Sequence, residues 1–292
     1  MLTYRRRVKE LGGRSSMYTD RKIDFEIIHK KRTCGYSMPT AHEHPYYEMG
    51  YLIGGTRKIF INHTVYLLRA GDLFIIRKNE IHRAVQVGNE GTNDITISFS
   101  EDYLKPLKKR YGEELVEAVL EKRIFHFELK QKRNIEKQMH HMLSDYRHPD
   151  EFTSHLQELF LQEIFIQLLR LVETVACEPS YNKDENLRME KAAKYMSTHF
   201  QKDITLPKIA AQYGVSTSYF AKKFKAVTGF SFKEYLTAIR IKEACSLLIQ
   251  SNMTITEIAL KCGFNDSNYF GDAFKKVKGV SPRAYRKVSG FI

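Results

Sequence analysis

The stretch ITLPKIAAQYGVSTSYFAKKFKAVTGFSFKEY, residues 204–235, is answered by MTITEIALKCGFNDSNYFGDAFKKVKGVSPRAY, residues 253–285. Ile209, Ala210 and Gly214 return as Ile258, Ala259 and Gly263 at an offset of 49. Tyr219, Phe220, Phe224, Lys225, Val227, Gly229, Ser231 and Tyr235 return as Tyr269, Phe270, Phe274, Lys275, Val277, Gly279, Ser281 and Tyr285 at an offset of 50. The additional residue falls just after the second glycine, where a turn absorbs it. An internal repeat of this regularity means one supersecondary unit built twice.

The punctuation of each copy says what the unit is. A short helical pattern, Leu206 to Tyr213, stops at Gly214, restarts at a Ser/Thr cluster and continues with Phe220, Phe224 and Val227 on one stripe. Two short helices joined by a glycine-containing turn are the helix-turn-helix plan. In the second copy Thr254 and Glu257 have capping-box spacing, and Phe270, Phe274 and Val277 form the buried stripe. Ser231 and Glu234 open a long connector of roughly eighteen residues, about 27 Å at 1.5 Å per residue. That length suits two recognition helices entering successive major grooves roughly 34 Å apart.

The charge distribution agrees with this placement. Of the net +13 on 292 residues, residues 183–292 carry +10, from 19 Lys/Arg and 9 Asp/Glu. A basic surplus confined to the repeat is the expected footprint of phosphate contacts. The length favours two domains. Four cysteines, Cys34, Cys177, Cys245 and Cys262, form no CxxC pair, so a disulfide framework is not expected; Cys245 and Cys262 fall in helical patterns as core residues. No apolar run approaches the ~18 residues of a membrane span, and a cytoplasmic location is expected.

Ahead of the repeat, residues 21–100 contain the short runs FEIIH, YYEMGYLI, RKIFIN, TVYLL, DLFII and ITISF, separated by Gly, Asn and Pro. Strands at this spacing argue for an all-β sandwich or barrel. Within them lie His42, His44 and Glu48, which share a face if the segment is extended, and His82 follows. Two imidazoles, a carboxylate and a further histidine suit Zn, Fe, Mn or Ni. The arrangement resembles the cupin small-barrel pattern, with all four positions filled. Three readings stand side by side: a polar pocket for a sugar-like effector, a pocket holding a divalent metal, and a structural histidine cluster. Residues 101–177 read as helices, Glu101 to Leu120, Asn134 to Arg147 and a long one after Pro149 whose apolar stripe is too wide for one contact surface. Two readings stand: it buries one face on the barrel and another on a second chain, or it is buried wholly within its own domain. Residues 1–20 read as a mobile basic arm and 178–186 as a polar linker.

Leu187 to Phe200 reads as a leading helix and Ser281-Pro282 opens a last one. Residues 187–292 resemble the DNA-binding domain of the AraC/XylS family, most specifically through the pattern IAxxxGFxxxxYFxxxFKxxxGxSPxxYR. The resemblance implies an α+β chain of two domains. A cupin-like β-barrel with dimerisation helices comes first, followed by an all-α domain of seven helices with two helix-turn-helix units. It implies a sequence-specific transcription regulator, an activator responsive to a small-molecule effector of carbohydrate type, with duplex DNA, a second copy of the chain and RNA polymerase as partners. A metal-dependent cupin enzyme fused to a DNA-binding domain is the rival class; no catalytic residues and no resident cofactor are expected. With the phenylalanines inward, Thr217, Ser218, Ala221, Lys222 and Lys225 face out on the first unit, and Ser267, Asn268, Gly271, Asp272 and Lys275 on the second. The family's base contacts correspond to Ser218, Ala221 and Lys222, and to Asn268, Gly271 and Asp272. Lys222 suits guanine and Asn268 suits adenine, whereas Asp272 stands where relatives carry a basic residue.

Overall fold

The computed structural model of the chain describes residues 23–33, 42–174 and 184–289. The expected arm at 1–20, Cys34, Cys177 and residues 178–183 of the expected linker lie outside them. The N-terminal half is built from two antiparallel sheets. Strands β1 (Phe25–Arg32), β2 (Tyr47–Gly54), β5 (Leu73–Ile76), β7 (Thr92–Phe99) and β8 (Ile124–Phe125) pair in the order β1-β7-β2-β5-β8. Strands β3 (Thr56–Ile61), β4 (Thr64–Arg69) and β6 (His82–Gln86) pair as β4-β3-β6.

Alternation along β2 explains how these sheets bury two faces. Tyr47, Met49 and Tyr51 join the core beneath the helices, while Leu52 joins Ile59, Ile61, Leu68, Phe74, Ile76 and Ala84 between the sheets. Gly50 lies under the Phe74 ring, where an added Cβ would sit 2.1 Å from Cζ, so only glycine lets the ring fill the barrel at that level.

The helices after residue 100 belong to the same body. A 3₁₀ turn (Glu101–Leu104) leads into α1 (Lys105–Tyr111), α2 (Glu113–Lys122), α3 (Leu129–Arg147) and α4 (Thr153–Thr174). The single helix expected over Glu101 to Leu120 is broken, because Gly112 takes φ +90 between α1 and α2. Strand β8, a two-residue run too short to carry a periodic signal, returns to pair with β5, so the sheet extends past residue 100. One core holds Phe99 and Ile97 of the sheet together with Val116, Met139, Ile164, Phe165 and Leu168 of the helices. On the far side Phe152, Leu156 and Leu159 are exposed at i, i+4, i+7.

The C-terminal half is helical among the described residues: α5 (Asp184–His199), α6 (Leu206–Gln212), α7 (Thr217–Thr228), α8 (Phe232–Gln250), α9 (Ile255–Lys261), α10 (Ser267–Lys278) and α11 (Pro282–Ser289). The capping boxes read from Ser231/Glu234 and Thr254/Glu257 both form. Each unit has its own phenylalanine core, Phe220 with Phe224 and Phe270 with Phe274. The first core also takes in Phe60, Val65 and Ile81 from the barrel, so the two halves share apolar packing.

Cys245 and Cys262 are buried in the second core. Burial pushes the Cys262 thiol up to about 12. The sign follows: the folded pKa exceeds the unfolded one, so this group's contribution to stability is full below the ordinary thiol range. It is lost as pH rises from there toward 12. Cys262 is therefore expected to resist iodoacetamide at pH 8 in the folded chain and to react once urea unfolds it. Rapid native labelling of Cys262, read by peptide mass spectrometry, would contradict this burial.

Candidate nucleic-acid interface and sensor site

Each helix-turn-helix unit is assembled by local signals. Thr205 caps α6 and Ser216 caps α7 through bonds to the Lys208 and Tyr219 amides. Asp266 caps α10 by accepting from the Asn268 and Tyr269 amides at 2.6 and 3.2 Å. At the second turn Gly263 takes φ +84, and a Cβ there would stand 2.7 Å from the Phe200 carbonyl oxygen. The turn thus admits no side chain where it packs on the chain just past α5.

With Phe220 and Phe224 inward, Thr217, Ser218, Lys222 and Lys225 are exposed and Ala221 is half-buried. On the second unit Ser267, Asn268, Asp272 and Lys275 are exposed and Gly271 is half-buried. Every residue expected to face outward thus lies on an accessible helix surface. Tyr219 and Tyr269 are also exposed, 42% and 43%, at matching positions, and Lys233 stands over the Tyr269 ring at 5.2 Å. Sequence reasoning kept both tyrosines in the shared skeleton without assigning them an outer face. Their adjacency to an inward phenylalanine was the available signal.

The second candidate site lies at one end of the barrel. His42, His44 and His82 each offer a ring nitrogen, and these nitrogens all lie within 4.8 Å of one another. Glu48 stands beside them, its Oε2 3.4 Å from His44 Nε2. The four residues converge as expected, but not by strand alternation. His42 and His44 precede β2 in a loop held by a backbone bridge between His42 and His82 and by the Asn79 amide donating to the His44 carbonyl at 2.7 Å. His82 opens β6, a short strand whose mixed HRAVQ composition hid it.

The tautomers are set by backbone. His44 Nδ1 lies 2.8 Å from the Tyr46 carbonyl and His82 Nδ1 2.9 Å from that of Glu80; since a carbonyl only accepts, both Nδ1 atoms carry the proton. Their Nε2 atoms lie in the cluster, buried and without hydrogen-bond partners. Burial, with His42 and His44 nearby, holds the His82 imidazole well below its usual range and hence neutral. Burial opposes ionisation of Glu48, yet Lys30 and His44 outweigh it and hold the carboxyl well below the usual carboxylate range. Two oriented imidazoles with orphaned Nε2 atoms, a third ring and a carboxylate fit a divalent transition metal as a donor set.

Two contacts tie this end of the chain to the helical half. Glu43, between the first two histidines, takes a hydrogen bond at 2.7 Å from Lys278 Nζ at the end of α10, and the Lys278 side chain is only 4% exposed. His82 leans on Glu80, which accepts from Asn62 Nδ2 at 2.9 Å, and the Asn62 carbonyl accepts from the Tyr235 hydroxyl on α8. Neither contact was legible beforehand. Glu43 and Lys278 are 235 residues apart, and each resembles an ordinary surface charge in sequence.

Comparison with known proteins matches both halves. The family model for an AraC-like ligand binding domain covers residues 26–169, and one for a helix-turn-helix domain covers residues 209–288. An uncharacterised HTH-type transcriptional regulator of Staphylococcus aureus (strain MSSA476) is 27% identical over 249 residues, 82% of this chain and 31% of that protein. The chain thus spans about a third of the length of such curated relatives. The HTH-type transcriptional activator RhaS of Escherichia coli (strain SE11) is 24% identical over 249 residues, 84% of this chain and 87% of that one. Among solved structures, the C-terminal domain of AraT, a response regulator from Geobacillus stearothermophilus, is 35% identical over 38% of this chain and 92% of that chain, with a TM-score of 0.36.

Proposed function

Because the chain belongs to the AraC family, with an AraC-like ligand-binding domain ahead of a helix-turn-helix domain, we propose that it is a sequence-specific, ligand-responsive regulator of transcription that reads duplex DNA with both units. The observation that carries this is the pair of capped helices α7 and α10, each presenting an open polar face and joined by the 19-residue α8. At 1.5 Å per residue α8 spans about 28 Å, which suits direct half-sites about one helical turn apart. Activation is favoured over repression by the name of the RhaS relative. The relatives named as regulators also favour regulation over catalysis, and we assign the chain no reaction. Action in the cytoplasm and contact with RNA polymerase belong to this proposal. Homodimerisation does too, through the exposed stripe of Phe152, Leu156 and Leu159.

The first unit is expected to dominate sequence readout, since Lys222 can donate to guanine O6/N7 whereas Asp272 repels phosphate or accepts from cytosine. Lys222→Ala is expected to weaken binding to a specific site by about 1–3 kcal/mol and to relax preference at one base pair. Lys276→Ala should weaken binding to all sequences alike and lower the salt slope by about one. Gel-shift titrations at several salt concentrations check both, and two chains per shifted site would report the dimer. Equal affinity for the DNA upstream of its own gene and for random duplex would end this reading.

We infer that the effector binds at the histidine end rather than mid-barrel. Mid-barrel the space is filled by Leu52, Ile59, Ile61, Leu68 and Phe74, with Phe74 seated on Gly50. Such a lining gives a sugar few partners for its hydroxyls.

A further inference from the structure

The cluster at the end of the barrel faces an element of the DNA-reading half, and the charges at that contact suggest what the cluster does. At that contact two carboxylates, those of Glu43 and Glu48, lie near the single buried ammonium of Lys278. Glu43 Oε2 is itself a buried acceptor without a hydrogen-bond partner. A divalent cation among the imidazoles adds two positive charges beside that ammonium. It also sets a second cation against the Lys278 ammonium, in surroundings where charge is weakly screened.

We propose that His42, His44 and His82, with Glu48, bind a divalent first-row transition metal ion, and that its binding weakens the buried Glu43–Lys278 pair that tethers α10 to the barrel. The inference rests on the regulator reading above and adds a ligand class and a route of control. Three features support it. The Nε2 atoms of His44 and His82 are buried and unpartnered, while their Nδ1 protons are committed to backbone carbonyls. The donor atoms, within 4.8 Å of one another, need only close to about 3.3 Å, the separation that a tetrahedral ion at 2.0–2.1 Å imposes. Glu43 lies between two of those donors in sequence, so closing them moves the backbone that carries it. Imidazole-rich sites with one carboxylate favour Zn²⁺, Co²⁺, Ni²⁺ or Fe²⁺ over Mg²⁺ or Ca²⁺.

Linkage makes the coupling measurable from the metal side. If the metal loosens the Lys278 contact, the Lys278 ammonium must oppose the metal by the same factor. Lys278→Met in the full chain is therefore expected to tighten Zn²⁺ binding, by about 5-fold to 150-fold. A lysine that served packing alone would leave that affinity unmoved.

The experiment is calorimetric titration of chelator-treated full-length chain with Zn²⁺, repeated with Co²⁺ to read coordination by visible absorption. One ion per chain is expected, with loss of binding in His82→Ala, and tightening in Lys278→Met. His42→Gln, at a half-buried ring, serves as a second ligand variant should His82→Ala fail to fold. Amide hydrogen exchange at residues 275–279 should quicken on adding Zn²⁺ to the wild type, and should already be quick in Lys278→Met without it. Absence of stoichiometric binding, or binding that survives both ligand variants, overturns the site. Unchanged affinity in Lys278→Met overturns the coupling. Gel shifts on the same samples separate the two readings: metal binding without DNA preference removes the regulator and leaves the site, and the converse removes the site alone.

Discussion

Asp94→Ala is expected to cost the sensor about 3–5 kcal/mol, the toll of breaking a buried ion pair and leaving its partners charged. Asp94 has no exposed surface and sits on β7, the strand flanked by β1 and β2. Its Oδ1 accepts from Arg32 Nη1 and, at 3.3 Å, from Arg57 Nη1; Thr96 Oγ1 donates to Oδ2 at 3.1 Å. Arg57 is itself 5% exposed, so removing the carboxylate takes a shared anionic acceptor from two guanidinium groups in a region of low dielectric. Asp94→Asn keeps the volume and one acceptor and should cost less, and adding Arg57→Ala to Asp94→Ala should recover part of the loss. Urea unfolding of the three variants checks the series; a loss below about 1 kcal/mol in Asp94→Ala would show that the cluster is solvated rather than buried.

The second large effect is Phe224→Ala, expected to cost about 3–5 kcal/mol as a buried aromatic truncation. Phe224 stacks on Phe220 at 5.4 Å and meets Tyr235 at 5.7 Å, and its core includes Phe60, Val65 and Ile81 of the barrel. Its counterpart Phe274 meets Phe270 at 5.7 Å and Tyr285 at 5.5 Å in a core without barrel residues. The two substitutions should therefore cost similar free energy and differ in reach. Exchange of the Val65 amide, which donates to Glu190 across the shared packing at 3.0 Å, should accelerate in Phe224→Ala and stay slow in Phe274→Ala. Equal acceleration in both would mean that the two units do not unfold separately.

The repeat was legible because its signals are local. Capping boxes, the turn glycine and phenylalanines at helical spacing act within a dozen residues, and each formed where its chemistry required. The histidines are legible by type, but the route by which they converge is not. Extended alternation does not hold over 42–46, and a backbone bridge to His82 brings the rings together instead. What stayed hidden was non-local. Strand β8 is two residues long, and Gly112 divides what reads as one helix. The seating of Val65 on Glu190 and of Glu43 on Lys278 joins residues 125 and 235 positions apart, where periodicity carries no information.

The connector α8 has a mechanical consequence. The barrel grips it at its start, where the Tyr235 hydroxyl donates to the Asn62 carbonyl, Arg83 lies over the Phe230 ring at 5.6 Å, and Glu234 stands 4.0 Å from Arg83. Its far end, about 28 Å away along the helix axis, carries the second unit. A tilt of about 10° at the gripped end therefore sweeps the other by about 5 Å, more than the ~3.4 Å rise of one base pair. α8 is thus a lever with its fulcrum on the sensor, and the spacing of two DNA half-sites is the length against which small motions at the barrel are read.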